Sequence, residues 1–518
     1  GETANEDGEK AFQEQLGNPY GLLQDSDHSI TSDEESPYTR QKLGISYPAF
    51  QDPATYVAKA SATAKAWKAV NVHERAGLLM ASLDKVKDRF FELAYATMHT
   101  TGQAFVMSFQ ASGPHANDRA IEAIALGLHE MTRFPEDQIE WVKPMGKFDL
   151  RMTKRFQNVP LGVGLCVGCS TFPVWNTVPG IYADLITGNP VIVKPHPLAI
   201  YPIAIFVQAI QEVLSENGLD PNTVQLAPDT RSAQITNELA TNPAVKLIDF
   251  TGSNAYGDYL ESLPGKVVFT EKAGVNSVIL DSADDLKAVV GNLGFSIAMY
   301  SGQMCTCPQN IFIPKAGMKI AGEQVPYEQI VEALTASIQG LVNHPKMGAG
   351  VTGAVQSDLT WQRAQDAKTL GKVLLDTGNI DNPQYPDARM ASPLVLEVSA
   401  DQREVYGKEL FGPIALIIPV EDTAHAVQLA KALATEKGAI SCSAYSVNPD
   451  TMTMIEEEMA ESFTPVSFNF TGMFWVNQNA GFSDFHVTGG NPAGNASLTD
   501  PLFVRRRFVM VGARTYHG

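Results

Sequence analysis

The sequence is poor in cysteine, with only five among 518 residues: Cys166, Cys169, Cys305, Cys307 and Cys442. A sparse set of odd number is not a disulfide framework, so a reducing compartment such as the cytoplasm is expected. Cys166-x-x-Cys169 and Cys305-x-Cys307 have short spacings, but the first pair lies in an apolar, strand-like run. The ten histidines are not spaced like metal ligands either. We therefore predict that the protein has no metal site.

Long apolar runs are absent, since no stretch approaches the ~20 residues that a membrane-spanning helix needs. The first ten residues are polar and acidic and lack a signal-peptide pattern. Positive charge is scarce, because 38 Lys and Arg residues face 57 Asp and Glu residues, which gives a net charge of -19. Such a chain repels a phosphate backbone, so we expect a soluble protein that binds neither membrane nor nucleic acid.

The composition is that of an ordinary globular protein, with 44% hydrophobic and 18% charged residues. Its length predicts two to four domains. Residues 1–50 are polar, and the acidic, serine-rich stretch 25–35 is typical of a solvated surface extension. A partner-docking segment is the alternative, but no residue favours it.

From residue 161 onward, short apolar runs alternate with helical patterns. Such alternation predicts a parallel, doubly wound sheet. The same alternation of strands and helices then repeats in a second α/β unit that begins near Glu271. The fold class is therefore α/β, with two Rossmann-like domains. The predicted strands cover residues 161–167, 191–193, 245–250, 267–269, 277–280, 311–313, 414–420 and 441–447.

Two further segments, 143–160 and 500–518, lie outside this alternation of strands and helices. The first is a polar, basic insertion, and the second alternates weakly between apolar and polar residues. Each is compatible with an arm that pairs with another chain and equally with a surface hairpin, so the residues leave both interpretations open.

The single full G-x-G-x-x-G motif, at 348–353, follows a turn instead of a strand, which predicts a glycine-rich surface loop and not a dinucleotide fingerprint. Thr251-Gly252-Ser253, with Gly257 following, lies between a strand and a helix, where backbone N–H groups suit a pyrophosphate. Lys194 ends a strand of the same predicted sheet and would share that edge. A plain helix cap and a solvated lysine are the alternatives.

Cys305 follows a glycine turn, and Glu271 lies one βα unit earlier. A free thiol titrates near ~8.5, so a nucleophilic cysteine needs a base or a positive charge nearby. Glu271 is a candidate base, and Asn176 is a candidate oxyanion donor. The alternatives are a buried, inert cysteine and a surface carboxylate. Cys307 competes as nucleophile, but its place before Pro308 favours a structural role.

Taken together, the segments resemble the aldehyde dehydrogenase superfamily over more than 400 residues from about residue 54. The spacing of Glu271 and Cys305 also resembles the family. The ordered set is specific although each piece alone is not. The matching motifs are Pro173-Val174-Trp175-Asn176, Val193-Lys194-Pro195, Phe250-Thr251-Gly252-Ser253, Glu271, Gly302-Gln303-Met304-Cys305 and Glu409-Leu410-Phe411-Gly412-Pro413.

The resemblance implies an NAD(P)-dependent enzyme that oxidises a small-molecule aldehyde to the acid through a thiohemiacetal and a thioester. Cys305 would be the nucleophile, Glu271 the general base, and Asn176 with the Cys305 N–H the oxyanion donors. The implied cofactor-binding residues are Trp175, Lys194, Gly252, Ser253, Gly257, Glu409 and Phe411.

The resemblance also implies a division of the chain. Residues 1–50 would be a polar N-terminal extension, 51–142 and 161–270 a cofactor-binding domain, and 271–480 a catalytic domain. Residues 143–160 and 490–518 would be β-arms for oligomerisation, which implies a homodimer or homotetramer.

Several positions depart from the family pattern. The usual Pro-Trp-Asn carries an inserted Val174, and Asn310 replaces an arginine. NAD-preferring members often carry a glutamate where this chain has Pro197, so we expect NADP to be accepted and slightly favoured over NAD. The polar N-terminus and Gly489-Gly490-Asn491 resemble the branch of phenylacetic acid degradation proteins called PaaN. That branch implies a substrate from aromatic catabolism, such as a CoA-linked semialdehyde.

Three alternatives remain at this point. A CoA-acylating aldehyde dehydrogenase would release its thioester to coenzyme A, and a base placed to activate water argues against it. A non-catalytic binding or structural member would have lost the nucleophile, base or lysine, and all three are present. A cysteine hydrolase would need a histidine partner, and none lies near Cys305 in sequence.

Overall fold

The structure is a computed structural model that describes residues 3–135, 137–472 and 501–517. Its first half builds one sheet with its helices, and these elements run in chain order: α1 (Ala4–Gln15), β1 (His28–Thr31), β2 (Ser46–Ala49), α2 (Pro53–Ala69), α3 (Val72–Lys87), α4 (Phe90–Thr101), α5 (Phe105–Ser112), α6 (Pro114–Met131), β3 (Ile139–Pro144), β4 (Asp149–Pro160), β5 (Val163–Val167), α7 (Val178–Ile186), β6 (Val191–Lys194), α8 (Tyr201–Glu216), β7 (Val224–Leu226), α9 (Thr236–Thr241), β8 (Val245–Gly252), α10 (Asn254–Glu261) and β9 (Val267–Lys272).

The second half builds another large sheet, and the last strand of the chain returns to the first half. A short helix, Leu502–Arg505, precedes that last strand. The other elements are β10 (Ser277–Leu280), β11 (Ser282–Ala283), α11 (Leu286–Ala298), β12 (Asn310–Pro314), β13 (Met318–Ile320), β14 (Glu323–Val325), α12 (Tyr327–Val342), α13 (Gly348–Thr352), α14 (Asp358–Asp366), β15 (Lys372–Leu375), β16 (Leu394–Glu397), α15 (Arg403–Tyr406), β17 (Ile414–Val420), α16 (Thr423–Lys437), β18 (Cys442–Tyr445), α17 (Pro449–Ala460), β19 (Val466–Phe468) and β20 (Phe508–Tyr516).

The first sheet has five parallel strands in the order β7-β6-β5-β8-β9. Successive side chains of a strand point to opposite faces. In β6, Val191 and Val193 accordingly join the core beneath α3, α6, α7 and α8, while Ile192 joins the core beneath α2 and α9. Both faces are covered, which explains why these strands read as continuous apolar runs.

The second sheet has the order β15-β16-β17-β12-β10-β18-β19 and is parallel except for the antiparallel edge strand β15. In β10, Val278 and Ile279 face different apolar cores, so this sheet is also buried on both sides. The α/β class with two doubly wound sheets is thus confirmed. Glu271, expected at the start of the second unit, lies instead in β9 of the first sheet.

A separate antiparallel sheet joins β3, β4 and β20 in the order β20-β4-β3. It unites the insertion with the end of the described chain. Several of its large apolar side chains are exposed, among them Val142, Val509, Val511 and Tyr516. Residues 490–500 and 518 of the predicted arm, and Gly489, lie outside the described residues. In the part of the chain that the structure describes, every helix is too short or too polar to cross a lipid bilayer.

The acidic segment 25–35 is solvated only in part, because most of residues 25–31 are exposed whereas Ser32 and Glu34 are buried. Glu34 is fully buried and accepts hydrogen bonds from the backbone N–H groups of Ile200 and Tyr201 at 2.6 and 2.7 Å. These N–H groups begin α8 and have no helical acceptor of their own. Burial raises the pKa of Glu34. The expectation is wrong here because a carboxylate in a polar stretch caps a helix from a distance.

The G-x-G-x-x-G run is a second correction. Residues Gly348–Thr352 form the short helix α13, not a surface loop, and Gly348 and Gly353 are buried. A Cβ at Gly348 would lie 2.2 Å from the carbonyl oxygen of Val342, so the glycine serves close packing. The run follows helix α12 rather than a strand, in agreement with its rejection as a fingerprint.

Candidate active site

A cavity of about 530 Å³ contains seven of the ten predicted site residues. Its volume lies in the range of sites that bind small molecules and cofactors. The residues come from both large sheets and their loops. The predicted members that line the cavity are Asn176, Gly252, Ser253, Glu271, Cys305, Glu409 and Phe411.

The turn before Cys305 is built from left-handed backbone. Tyr300, Ser301 and Gly302 have φ values of 51°, 50° and 64°. Such conformations cost energy for residues other than glycine and persist only where the surroundings enforce them. The Tyr300 hydroxyl donates to the carbonyl of Thr101 at 2.7 Å, and a Cβ at Gly302 would lie 2.1 Å from the Gly412 oxygen. Gly302, three residues before Cys305, is therefore required by the backbone.

Asn276 holds the segment after the turn. Its side-chain amide donates to the carbonyls of Cys305 and Cys307 at 2.7 and 3.0 Å. Its oxygen accepts from the N–H groups of Ile440 and Ser441 at 3.0 and 3.1 Å. A side chain that the sequence did not single out thus ties the Cys305 loop to the start of β18.

The thiol of Cys305 is not acidic in this structure. Burial raises its pKa well above the ordinary value, and the neighbouring carboxylates of Glu271 and Glu409 add to the rise. At neutral pH the sulfur is protonated, so nucleophilic attack needs proton removal. The arrangement therefore calls for a base beside the thiol.

Glu271 is that neighbour, at the end of β9. The side chain is buried, and it hydrogen-bonds with the thiol of Cys305. Its Oε2 also accepts from Nδ2 of Asn176 at 3.0 Å. The thiol of Cys305, the carboxylate of Glu271 and the amide of Asn176 consequently lie in one cavity, although they come from distant parts of the chain.

Gly252 and Ser253 line the cavity where β8 passes into α10. Ser253 is the N-cap and makes no side-chain capping hydrogen bond, so the first-turn N–H groups can donate to phosphate oxygens. Gly257 lies inside α10, where a Cβ would meet the side chain of Lys272 at 2.6 Å. Its role is helix packing, and it does not line the cavity.

Lys194 is neither solvated nor in contact with the cavity. Its Nζ forms an ion pair with Asp229 at 2.7 Å and donates to the Pro195 carbonyl at 2.6 Å, with 3% of the side chain exposed. Burial lowers its pKa, and Asp229 opposes that shift. The solvated-lysine alternative is wrong. Asp229 follows strand β7 of the same sheet, a position that sequence reasoning could have examined.

Glu409 and Phe411 line the cavity on the side of the second sheet. Burial raises the pKa of Glu409 to about 7, Arg363 lowers it, and Glu271 raises it further. Arg363 also donates to the Phe411 carbonyl at 2.5 Å. A carboxylate half-protonated near neutral pH is suited to accept or donate a hydrogen bond to a hydroxyl group.

Arg119 of α6, which no sequence pattern indicated, lies near Glu271 and Cys305 without lining the cavity. It is buried, and its guanidinium stacks on the ring of Trp175 at 3.9 Å. Burial lowers its pKa to about 10, while Glu271 and Cys305 raise it. Trp175 packs in an apolar cluster with Phe172 and Tyr300 and does not line the cavity. The reaction centre therefore adjoins an aromatic cluster that holds one buried cation.

Cys166, Asp184 and Asp249 offer ligand atoms within 4.8 Å of one another. The guanidinium of Arg507 binds both carboxylates, at 2.7 Å to Asp184 and at 2.6 and 2.7 Å to Asp249. A cation thus already neutralises this group. The Sγ of Cys169 does not belong to this group and lies 3.4 Å from the Phe172 carbonyl oxygen. None of the five cysteines, all in the described part of the chain, forms a disulfide.

Comparison with known proteins agrees with this geometry. Residues 25–492 match the model of the aldehyde dehydrogenase family. A crystal structure of an NAD-dependent aldehyde dehydrogenase from Burkholderia multivorans is 42% identical, covers 100% of this chain and 93% of its own, and superposes with a TM-score of 0.95. The chain belongs to the aldehyde dehydrogenase family. Its fold is that of the solved aldehyde dehydrogenase to which it is similar.

Curated relatives are more distant. A 1-pyrroline-5-carboxylate dehydrogenase from Anoxybacillus flavithermus is 24% identical over 445 residues, which cover 82% of this chain and 81% of that protein. An aldehyde dehydrogenase-like protein of Saccharomyces cerevisiae is 27% identical over 290 residues, 52% of this chain. The match spans only 43% of the yeast protein's length.

Proposed function

We propose that this protein oxidises an aldehyde to the carboxylic acid with NAD or NADP as cofactor. The observation that carries the proposal is the meeting of Cys305, Glu271 and Asn176 in one cavity, where Asn176 and Glu271 are 3.0 Å apart. The cavity continues from these residues to the Gly252-Ser253 turn. Gly252, Ser253, Glu409 and Phe411 would hold the cofactor, which supplies the hydride acceptor when bound.

Each of the three side chains then has a defined part in the reaction. Glu271 removes the thiol proton of Cys305, whose raised pKa otherwise keeps the sulfur uncharged. The sulfur forms a bond to the carbonyl carbon, and the amide of Asn176 donates to the oxygen as it becomes negative. Loss of hydride from that carbon leaves a thioester on Cys305. Glu271 releases the thiol proton to solvent and then takes a proton from water, whose oxygen attacks the thioester carbonyl carbon. The carbon–sulfur bond breaks, the acid leaves, and the sulfur takes the proton back from Glu271, which restores the thiol.

The substrate that we favour carries an apolar or aromatic group beside its aldehyde. Phe172, Trp175 and Tyr300 form a compact aromatic cluster with Met107 and Met304, and Phe172 also lines the cavity next to Cys305. Aromatic rings bind apolar surface and other rings. A substrate from aromatic catabolism, as in the PaaN branch, fits this cluster, including its CoA-linked semialdehyde form.

A small anionic semialdehyde is the second candidate. It is favoured by Arg119, a buried cation stacked at 3.9 Å on Trp175 and electrostatically coupled to Glu271 and Cys305. A guanidinium can bind a carboxylate through two parallel hydrogen bonds. Several relatives bear the name 1-pyrroline-5-carboxylate dehydrogenase, which also refers to a carboxylate-bearing compound.

The exposed sheet of β3, β4 and β20 would pair with a second copy, giving a homodimer or homotetramer, since its apolar residues Val509 and Val511 are half exposed. We assign the protein to the cytoplasm because its five cysteines form no disulfide.

A panel of aldehydes tests the proposal. Aromatic, aliphatic, carboxylate-bearing and CoA-linked aldehydes would be incubated with NAD and NADP, and the absorbance of the reduced cofactor followed. We expect turnover with at least one class, highest for aromatic aldehydes. Preference for carboxylate-bearing aldehydes, lost in Arg119→Met, would favour the second candidate. No reduction of either cofactor by any aldehyde would contradict the proposed function.

A further inference from the structure

Part of the cavity wall comes from the N-terminal segment 33–42. Asp33, Glu35 and Lys42 line the same cavity as Ser253 and Cys305. The segment is fixed at both ends. Glu34 caps α8 as described, and the carbonyl of Pro37 accepts from the N–H of Arg389 at 2.9 Å. A segment with these anchors holds its side chains in defined positions beside any bound ligand.

The contacts of Asp33 show where in the cavity this residue lies. Its Oδ2 accepts from the backbone N–H of Arg231 at 2.7 Å, and Nε of Arg231 lies 4.0 Å away. Its charge raises the pKa of Asp229, the buried partner of Lys194. Asp33 therefore lies at the cavity end beyond β6 and β7, opposite the end that holds Cys305.

The charged residues at the Asp33 end of the cavity differ in how much of their side chains is exposed. Lys194 and Asp229 are buried and neutralise one another. His196 lines the cavity, but burial lowers its pKa to about 4, so it is neutral at pH 7. Asp33 and Arg231 retain exposed side-chain fractions of 31% and 59%. The carboxylate held by a backbone hydrogen bond is thus the fixed charge, and the arginine side chain is the mobile one.

The sequence suggested NADP because position 197 carries no carboxylate. In the structure, this position does not face the cavity. Pro197 is buried, while His196 and Leu198 on either side line the cavity. The absence of a carboxylate at position 197 therefore has little bearing on the ligand. Asp33 supplies a carboxylate at the same end from a distant part of the chain.

We propose that Asp33 determines cofactor specificity by accepting a hydrogen bond from the adenosine ribose and repelling a 2′-phosphate, so that the protein prefers NAD. The proposal rests on the proposed function, because it takes this cavity as the cofactor site. A phosphate next to Asp33 would bring like charges together in a partly enclosed cleft. A ribose hydroxyl would instead donate to the carboxylate.

Isothermal titration calorimetry with NAD and with NADP, without aldehyde, tests the proposal on the full chain. We expect wild type to bind NAD more tightly, and Asp33→Asn to shrink the ratio of the two Kd values by about tenfold, the scale of one partly screened charge. The amide oxygen introduced by this substitution would still accept from the Arg231 N–H. Asp33→Glu keeps the charge and should keep the preference for NAD. Asp25→Asn removes an exposed carboxylate outside the cavity and should leave the ratio unchanged.

An unchanged ratio in Asp33→Asn, or tighter binding of NADP by wild type, would overturn the assignment. Selective loss of NADP binding in Arg231→Ala, with Asp33→Asn silent, would identify Arg231 as the discriminating residue instead. Because binding is measured without a substrate, a failure to oxidise any aldehyde leaves this result intact. If wild type binds neither nucleotide, both the proposed function and this assignment fail.

Discussion

The side-chain amide of Asn176 donates to Oε2 of Glu271 over 3.0 Å. One residue is the candidate oxyanion donor, and the other is the candidate base. In the resting site each is therefore a hydrogen-bond partner of the other, and both are buried. Buried polar groups without partners cost free energy, so this bond keeps the two side chains ordered before a substrate arrives. A substrate oxygen that binds Asn176 takes over a donor already aimed at the reaction centre.

The loss of Asn176 gives the first prediction. Asn176→Ala removes one oxyanion donor and should lower kcat by about 10²–10³-fold, as for comparable donors. Asn176→Asp should be at least as damaging because it faces Glu271 with a second carboxylate. Steady-state kinetics at saturating cofactor measure both. The Kd of the cofactor serves as the control and should change little, and a kcat of Asn176→Ala within threefold of wild type would refute the role.

A cysteine pair provides the second prediction. Cys305→Ser should abolish aldehyde oxidation and leave cofactor binding nearly intact, since the thiol forms the covalent bond to substrate. Cys307→Ser is the matched control, because that sulfur lies 3.9 Å from the Ser296 carbonyl and does not line the main cavity. It should retain most activity. If Cys307→Ser lost all activity and Cys305→Ser did not, the nucleophile would be Cys307.

The base is tested by separating two chemical steps. Glu271→Gln should slow thioester hydrolysis most, so that a first turnover of reduced cofactor is followed by a much lower steady rate. Stopped-flow absorbance measures both phases. Product analysis with free CoA distinguishes hydrolysis from acyl transfer. Accumulation of acyl-CoA by the wild-type protein in preference to the free acid would identify a CoA-acylating enzyme.

Glu409 predicts a pH dependence of stability. Burial raises the pKa of its carboxyl from 4.5 to about 7, so the folded state favours the protonated form. Its contribution to the free energy of unfolding is thus complete below pH 4.5 and is lost as the pH rises through about 7. Glu409→Gln mimics the protonated form. Between about pH 5 and 8 the Tm of wild type should fall relative to that of Glu409→Gln, whereas a constant difference would argue against the raised pKa.

The separate three-stranded sheet predicts an effect on assembly. Val511 lies in β20 with 51% of the side chain exposed. If this sheet pairs with a second copy, Val511→Asp places a charge in the interface and should shift the protein toward monomers. Light scattering after size exclusion gives the mass. Val447→Asp, at an equally exposed valine outside the sheet, is the control. Identical masses for all three proteins would exclude the sheet as an interface.

Local sequence pattern predicted the sheets well, since a buried parallel strand is an apolar run bounded by turns. Strands such as Ile414–Val420 and Ser277–Leu280 have the bounds that their sequence indicates. Ordered motifs also indicated Cys305, Glu271 and Asn176, because each follows a predicted strand or turn. These residues needed no knowledge of long-range contacts.

Residues that act across the fold were not predictable in this way. Arg119 lies on a helix whose pattern says only that one face is buried, and its stacking on Trp175 depends on how α6 packs. Glu34 and Asp33 lie in a stretch whose composition suggests solvent exposure. Their roles follow from which helix end and which cavity edge lie opposite, and no local pattern encodes that. Lys194 was located on the correct strand, but its ion pair with Asp229 was not foreseen.

Arg507 has a consequence for how the chain is made. It lies 323 residues after Asp184 of α7 and 258 after Asp249 of β8, the two carboxylates that it binds. During synthesis, the first sheet is completed long before this counter-ion leaves the ribosome, and a buried and a partly buried carboxylate without a cation destabilise a core. The first sheet and its helices should therefore stay loose until Arg507 has left the ribosome. Ribosome-bound chains stalled before that point should be cut by protease within the first half, and chains stalled well beyond it should resist.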